Sequence, residues 1–396
     1  MKKSIILSIG ALVIFLLLAV WGYLFFFGTP ESSDEFFTDL GLNGEVDTSY
    51  VPPPVEVATS TPTVNMKRPK LRQLTTKPVA GFAEIIRSTT TPAVVYYVEQ
   101  GNGHIFTIDT KSGEEVRVSR TTVAQAERAH ISKDGRFAAI SSFSNNKNKP
   151  LFVGAFPTST VGMIDADLTE VLSVTGQDFV FGEDEVLYST VGAAGLIGTA
   201  YNLSDETTDT LFTLPITEAR IQWGSSSAEN HYLYPKATYA LEGFLYEITK
   251  GTLSRLPVSG FGLTANVNAD LILFTKVENA SSKSYVYNRT DASTKPLDAV
   301  VLPEKCLLPE TGLEFVCPFE SIKVPYEFPD GWYKGTLSFK DSLWLLNAEN
   351  MSGEKLVDTF AESSREIDAI GMQVSSTGNV LYFINKNDNT LWMYEI

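Results

Sequence analysis

Two cysteines, three histidines and one aromatic-rich stretch are the residues of this chain whose types could do chemistry. Cys306 and Cys317 stand eleven positions apart, with no histidine near them in sequence. A zinc site needs four ligands at repeated close spacings, and a nucleophilic cysteine needs a base, so neither reading suits this pair. In an oxidising compartment the two thiols would close a short loop and stabilise the fold by about 2 to 3 kcal/mol. The alternative is two free thiols, one buried in strand 313–318.

His104, His130 and His231 have no acidic or cysteine partner at ligand spacing and read as strand or turn residues. The run Gly192-Ala193-Ala194-Gly195-Leu196-Ile197-Gly198 resembles a phosphate loop only in composition. It leads from one strand into another, with no helix N-terminus to hold a phosphate. Gly-x-Ser-x-Gly, His-Glu-x-x-His and EF-hand spacings are absent. The expectation is therefore a non-enzyme with no catalytic residue, metal or cofactor. Asn202, Asn279, Asn288 and Asn350 begin Asn-x-Ser/Thr sequences, which matter only where asparagine is glycosylated.

The aromatic stretch is Ile322 to Gly335, with Tyr326, Phe328, Trp332 and Tyr333 around the turn Pro329-Asp330-Gly331. Exposed, these four rings form a candidate binding surface for a protein or another envelope component. Folded back, they would seal the element that carries them. A formal charge of −16 and a pI near 4.7 argue against nucleic acid as a partner, because phosphate backbones need clustered Lys and Arg.

The elements that must position these residues begin at the N-terminus. Residues 1–4 form a short stub, and Ile5 to Phe27 are 23 uncharged, mostly apolar positions. At about 1.5 Å per residue such a helix crosses a hydrocarbon core of about 30 Å. Trp21 stands where a signal-peptide cleavage site needs a small residue, so an uncleaved transmembrane anchor is expected. Lys2 and Lys3 precede it while Glu31, Asp34 and Glu35 follow, which places the N-terminus in the cytoplasm and the remainder outside. Residues 28–69 are rich in Pro, Ser, Thr and acidic side chains and read as a disordered linker.

From residue 70 to 396 one pattern recurs: strand, polar turn, strand, as in Arg128 to Phe143 with Asp134-Gly135 at the turn. Inner strands start near Gly81, Ala129, Asp178, Arg220, Gly262, Leu313 and Ile370, intervals that suit four-stranded blades. The last unit lacks an outer strand, and Lys70 to Thr75 can supply it by pairing with Leu391 to Tyr394, which removes an open sheet edge. The expected fold is all-β: a β-propeller of seven four-stranded blades closed by an N-terminal strand, with a six-bladed ring as the alternative. At the inner-strand ends, which would line a channel, the sequence offers mainly Ala129, Phe179, Ile221 and Thr264.

The turn Ser132-Lys133-Asp134-Gly135-Arg136-Phe137, followed by an aromatic third strand, resembles the TolB-like, WD40-like β-propeller repeats of bacterial envelope proteins. Only the second unit keeps this turn intact in sequence. The anchor, the Thr/Pro linker, the late cysteine pair and Tyr326 to Gly335 together resemble membrane-anchored propellers of candidate-phyla (Patescibacteria) bacteria. That resemblance implies a location and no activity. The functional expectation is an anchored extracytoplasmic interaction or scaffold module. The alternative is a small-molecule or glycan sensor, or an enzyme, using the channel.

Overall fold

In the computed structural model, residues 68–85, 94–157, 166–321, 324 and 327–396 are described. They belong to the second of the two units, Met1–Met66 and Lys67–Ile396, into which the chain divides. The expected anchor 5–27, the linker up to residue 67 and Tyr326 lie outside the described residues. Among the described residues no helix is long and apolar enough to cross a membrane.

The described chain folds into consecutive antiparallel groups of strands. The first has four, Val79–Ile85, Val94–Glu99, Ile105–Ile108 and Glu115–Ser119, each paired with the next. The second (Ala126–Ile131 to Thr169–Gly176) and third (Asp178–Phe181 to Thr208–Leu214) repeat that order. The fourth and fifth share the 16-residue strand Thr252–Val267. Its first part pairs back onto Glu242–Thr249 and its second part forward onto Leu271–Glu278. The register breaks between Phe261 and Thr264, where Gly262 takes φ +60°, a value that glycine adopts without steric cost.

The sixth group differs from expectation. Glu314–Phe319 lies second, not innermost: it pairs with Ser342–Asn347 on one side and with Leu307 on the other. Leu307 and Val316 exchange both backbone hydrogen bonds, at 2.8 and 3.1 Å. The innermost segment is therefore the chain just after the 3-10 turn Pro303–Lys305, which contacts the inner strands of the fifth and seventh groups. Leu308-Pro309 keeps this segment too short to read as a strand, since proline donates no ladder bond. In the seventh group Leu71–Gln73 pairs with Thr390–Glu395, Leu71 opposite Tyr394 and Gln73 opposite Trp392.

Each group buries one face against the next. Ala83 and Tyr96 pack on Ala129 and Ile140, Val153 on Phe179, Leu196 on Leu233, and Leu245 on Ile272. The series continues with Leu273 on Phe315 and Leu343 on Phe383, and Phe82 of the first group packs with Tyr382 of the last. Repeated four-stranded antiparallel sheets stacked face to face make this a β-propeller. Neighbouring inner strands come so close that a Cβ at Gly81 would collide with the Ala129 carbonyl.

A six-residue turn recurs at 109–114, 202–207, 288–293, 347–352 and 385–390. Its first side chain, Asp109, Asn202, Asn288, Asn347 or Asn385, accepts the N–H two residues on. Its fourth, Ser112, Asp205, Asp291, Asn350 or Asp388, does the same two residues later. Its fifth residue has positive φ in all five copies. Three of the four Asn-x-Ser/Thr sequences, those at Asn202, Asn288 and Asn350, are parts of this turn, so turn chemistry accounts for them.

Candidate functional site: the central channel

Three inner strands, Val79–Ile85, Ala126–Ile131 and Ala369–Val374, line two hollows that divide their length. One, of about 520 Å³, takes their starting residues, Val79–Phe82, Glu127–His130 and Ile370–Gly371. The other, of about 710 Å³, takes their ends, Ala83–Glu84, Ile131 and Val374. Phe82, His130 and Gln373 line both, so they are two halves of one channel.

The first half is polar. Arg128 is ion-paired with Asp178, and Lys149 with Glu127. Arg220 lies 3.6 Å from Glu304 and 4.8 Å from the centre of the Tyr333 ring. Glu304 sits on the turn Pro303–Lys305, where burial pushes its carboxyl above the ordinary range although Arg220 pulls the other way. Its Oε1 and the nearby Tyr333 hydroxyl are enclosed and lack a well-formed hydrogen bond. His130 stands edge-on to Phe179 at 5.3 Å, and burial, reinforced by Arg128, brings its imidazole down to about 3. It is therefore neutral at physiological pH.

The sequence pointed to only part of this lining. Of the four residues expected there, Ala129 lines the first half although it is only 4% exposed, whereas Phe179, Ile221 and Thr264 line neither half; the polar lining comes from their neighbours Arg128, His130 and Arg220. Successive strand residues face opposite sides, so a shift of one position exchanges core for channel lining. The polar groups do not converge as ligands: among the described residues no three His, Cys, Asp or Glu side chains gather to hold a metal ion.

The second half is an apolar funnel. Phe181, Leu307, Leu308, Val316 and Val374 form much of its wall. Val374 is 46% exposed, high for a valine, and Leu308 is half-buried.

Cys306 and Cys317 form a disulfide, both buried beneath the segment that carries Leu307. In the aromatic insertion Phe328 and Trp332 are 1% and 7% exposed and pack with Leu302 and Phe339, so these two rings seal the sixth group and are not surface anchors. Trp332 lies on the short helix Asp330–Tyr333, and its Nε1 donates to Asp368 at 2.9 Å. Lys305 Nζ donates to Asp341 and Asp368, both at 2.6 Å, and all three side chains are buried. This triad ties insertion to core, and sequence reasoning missed it. Tyr333 is half-buried under Arg220.

The other histidines play local roles. His104 Nε2 lies 3.0 Å from the Thr122 hydroxyl, and buried His231 accepts the Gly224 N–H at Nδ1. Gly192 pairs with Gly195 across a tight hairpin, so the glycine-rich run is a turn between strands.

No known protein family matches this chain, and no curated protein matches it. Among solved structures it is similar to one described as the beta-propeller domain of the Trilobed protease from Pyrococcus furiosus, which reveals an open velcro topology. That likeness covers 81% of this chain and 94% of the other, at 10% identity and a TM-score of 0.49.

Proposed function

We propose that this chain is a non-catalytic binding propeller of seven blades, its ring closed by Leu71–Gln73, which docks an apolar segment of a protein or envelope partner in the funnel. The observation that carries the reading is the funnel itself: a hollow of about 710 Å³ walled largely by aliphatic and aromatic side chains. Concave, mostly apolar hollows are where proteins bind partners and ligands. Seven packed interfaces, the last between Tyr382 and Phe82, support the blade count and the closure. We place it outside the cytoplasm, tethered by residues 5–27, in the manner of the TolB-like, WD40-like envelope propellers it resembles. The Cys306–Cys317 disulfide supports that compartment, since such bonds persist where thiols are oxidised.

Chemical cross-linking of the full chain in its native membrane, followed by mass spectrometry, tests the reading. A defined partner is expected with the native chain and lost in a Leu308→Asp/Val374→Asp variant that keeps its melting temperature. The same partner retained by that variant overturns docking at the funnel. A second reading, a small polar molecule in the other half of the channel, is favoured by Arg128, His130 and Arg220 around one hollow. A rise in melting temperature with a polar metabolite, abolished by Arg220→Ala, would favour it.

A further inference from the structure

The charges around the funnel specify its partner, and the argument rests on the docking reading above. Four charged side chains line the funnel: Glu84, Glu310, Glu314 and Lys133. A neighbouring hollow of about 580 Å³ shares Leu308, Pro309 and Glu310 with it and adds Glu229, Trp223 and Tyr232. The two hollows together carry four carboxylates against one ammonium.

These carboxylates remain available as charges. Glu310 is exposed and makes no side-chain hydrogen bond or ion pair among the described residues. Glu229 uses one oxygen to accept the Ser225 N–H at 3.0 Å. Glu84 accepts from Ser376 N–H and the Tyr382 hydroxyl, and Glu314 from the Asn347 amide, neutral donors that leave each charge in place. The ridge Leu308-Pro309 separates the apolar hollow from the acidic, aromatic one. A segment crossing it would put apolar side chains on one side and a cation on the other.

We infer that the partner of the funnel is a peptide segment whose apolar residues are flanked by Lys or Arg. The apolar residues fill the space between Leu308, Val316 and Val374, and a flanking cation lies over Glu310 and Glu229. Charge of opposite sign at a rim raises the rate of encounter and rejects like-charged segments, and it is screened by salt.

The test uses the full chain in nanodiscs of zwitterionic lipid, with empty nanodiscs as the blank. Three fluorescent peptides share one Leu-Phe-Val-Leu core and carry two flanking Lys, Ser or Glu at each end; anisotropy is read at low and high salt. At low salt the Lys-flanked peptide is expected to bind about 10-fold tighter than the Ser-flanked one, and the advantage to shrink at high salt. In Glu229→Lys/Glu310→Lys the order of Lys- and Glu-flanked peptides should reverse. Equal binding of all three peptides overturns the inference and leaves docking at the funnel standing. No binding by any of them, or binding unchanged in Leu308→Asp/Val374→Asp, overturns both.

Discussion

Glu304 and Lys305 are neighbours on one 3-10 turn, yet they meet opposite surroundings. Lys305 points into the interface between the sixth and seventh groups and holds two carboxylates at 2.6 Å. Asp368 also accepts from Trp332 Nε1 and from the Phe339 N–H, and Asp341 from the Ala369 N–H, so that only Asp341 Oδ1 is left without a partner. Glu304 faces Arg220, a residue of the polar half of the channel, 3.6 Å away, and its Oε1 lacks a well-formed hydrogen bond. Buried charge survives where hydrogen bonds satisfy it, and a half-satisfied group beside a hollow leaves bonding capacity free. One step along the chain thus separates a cluster that holds the fold from a side chain that backs the polar half of the channel through Arg220.

The widest difference between the two sides should appear on removing a partner. Asp368→Ala leaves Trp332 Nε1 and the Phe339 N–H unpaired and takes one carboxylate from Lys305. Breaking such a buried pair costs about 3 to 5 kcal/mol, and denaturant unfolding should show a loss of that size. Lys305→Met, which leaves two carboxylates facing each other in the interior, should be comparably costly. A loss under about 1 kcal/mol in both variants would mean that the triad does not hold the insertion to the core.

The two sides should also titrate in opposite directions. Burial, with Asp368 adding to it and Lys305 opposing, pushes the Asp341 carboxyl from 3.8 up to about 6. The unfolded chain releases that proton near 3.8 and the folded chain keeps it to about 6. The stability it contributes is therefore full below about 4 and is lost as pH rises to about 6. His130, on the channel side, is shifted down from 6.5 to about 3, so the unfolded chain takes up the proton first. Its contribution is present above 6.5 and is lost as pH falls toward 3. Melting temperatures across pH 4 to 7 should show the acid-side loss reduced in His130→Gln and the loss on raising pH reduced in Asp341→Asn. Profiles of both variants parallel to the native one would remove these groups as the cause.

Much of the scaffold was legible because it depends on local pattern. The pairing partner of Lys70 to Thr75, the closely spaced cysteines and the strands around Asp134-Gly135 follow from alternation and turn residues within short windows. The turn at Ser132 shows how far that goes. Ser132 Oγ accepts the Phe137 N–H, and Ser375 Oγ accepts the Val380 N–H in the same way, with Gly135 and Gly378 at φ +70° and +75°. Sequence identity suggested one copy of this turn, whereas its geometry occurs twice, because Ser375-Ser-Thr-Gly-Asn meets the same demands with other residues. The triad had no such signal: Lys305 is 36 residues from Asp341 and 63 from Asp368, and the fold alone brings them together. Most of the channel lining was missed for a smaller reason, since a one-residue error in strand phase put Ile221 where Arg220 belongs.

The smallest effect should come from the residue next to the most sensitive one. Glu304→Gln keeps the shape and the acceptor of the side chain and removes a charge that burial already disfavours. Its ion pair with Arg220 is long, at 3.6 Å, and the Arg220 side chain keeps 44% of its surface accessible, so solvent screens that end of the pair. Stability should change by less than about 1 kcal/mol, with either sign, in the same unfolding measurement that shows the large loss in Asp368→Ala. What should change is the channel, because Arg220 then loses its nearest counter-charge and the polar half gains net positive charge. Affinity for a small anion such as acetate, measured by the perturbation of Tyr333 and Trp332 fluorescence, should rise in Glu304→Gln and not in the native chain. If Glu304→Gln instead loses several kcal/mol, the turn Pro303–Lys305 is structural on both sides, and the division between those sides fails at the residue that defines it.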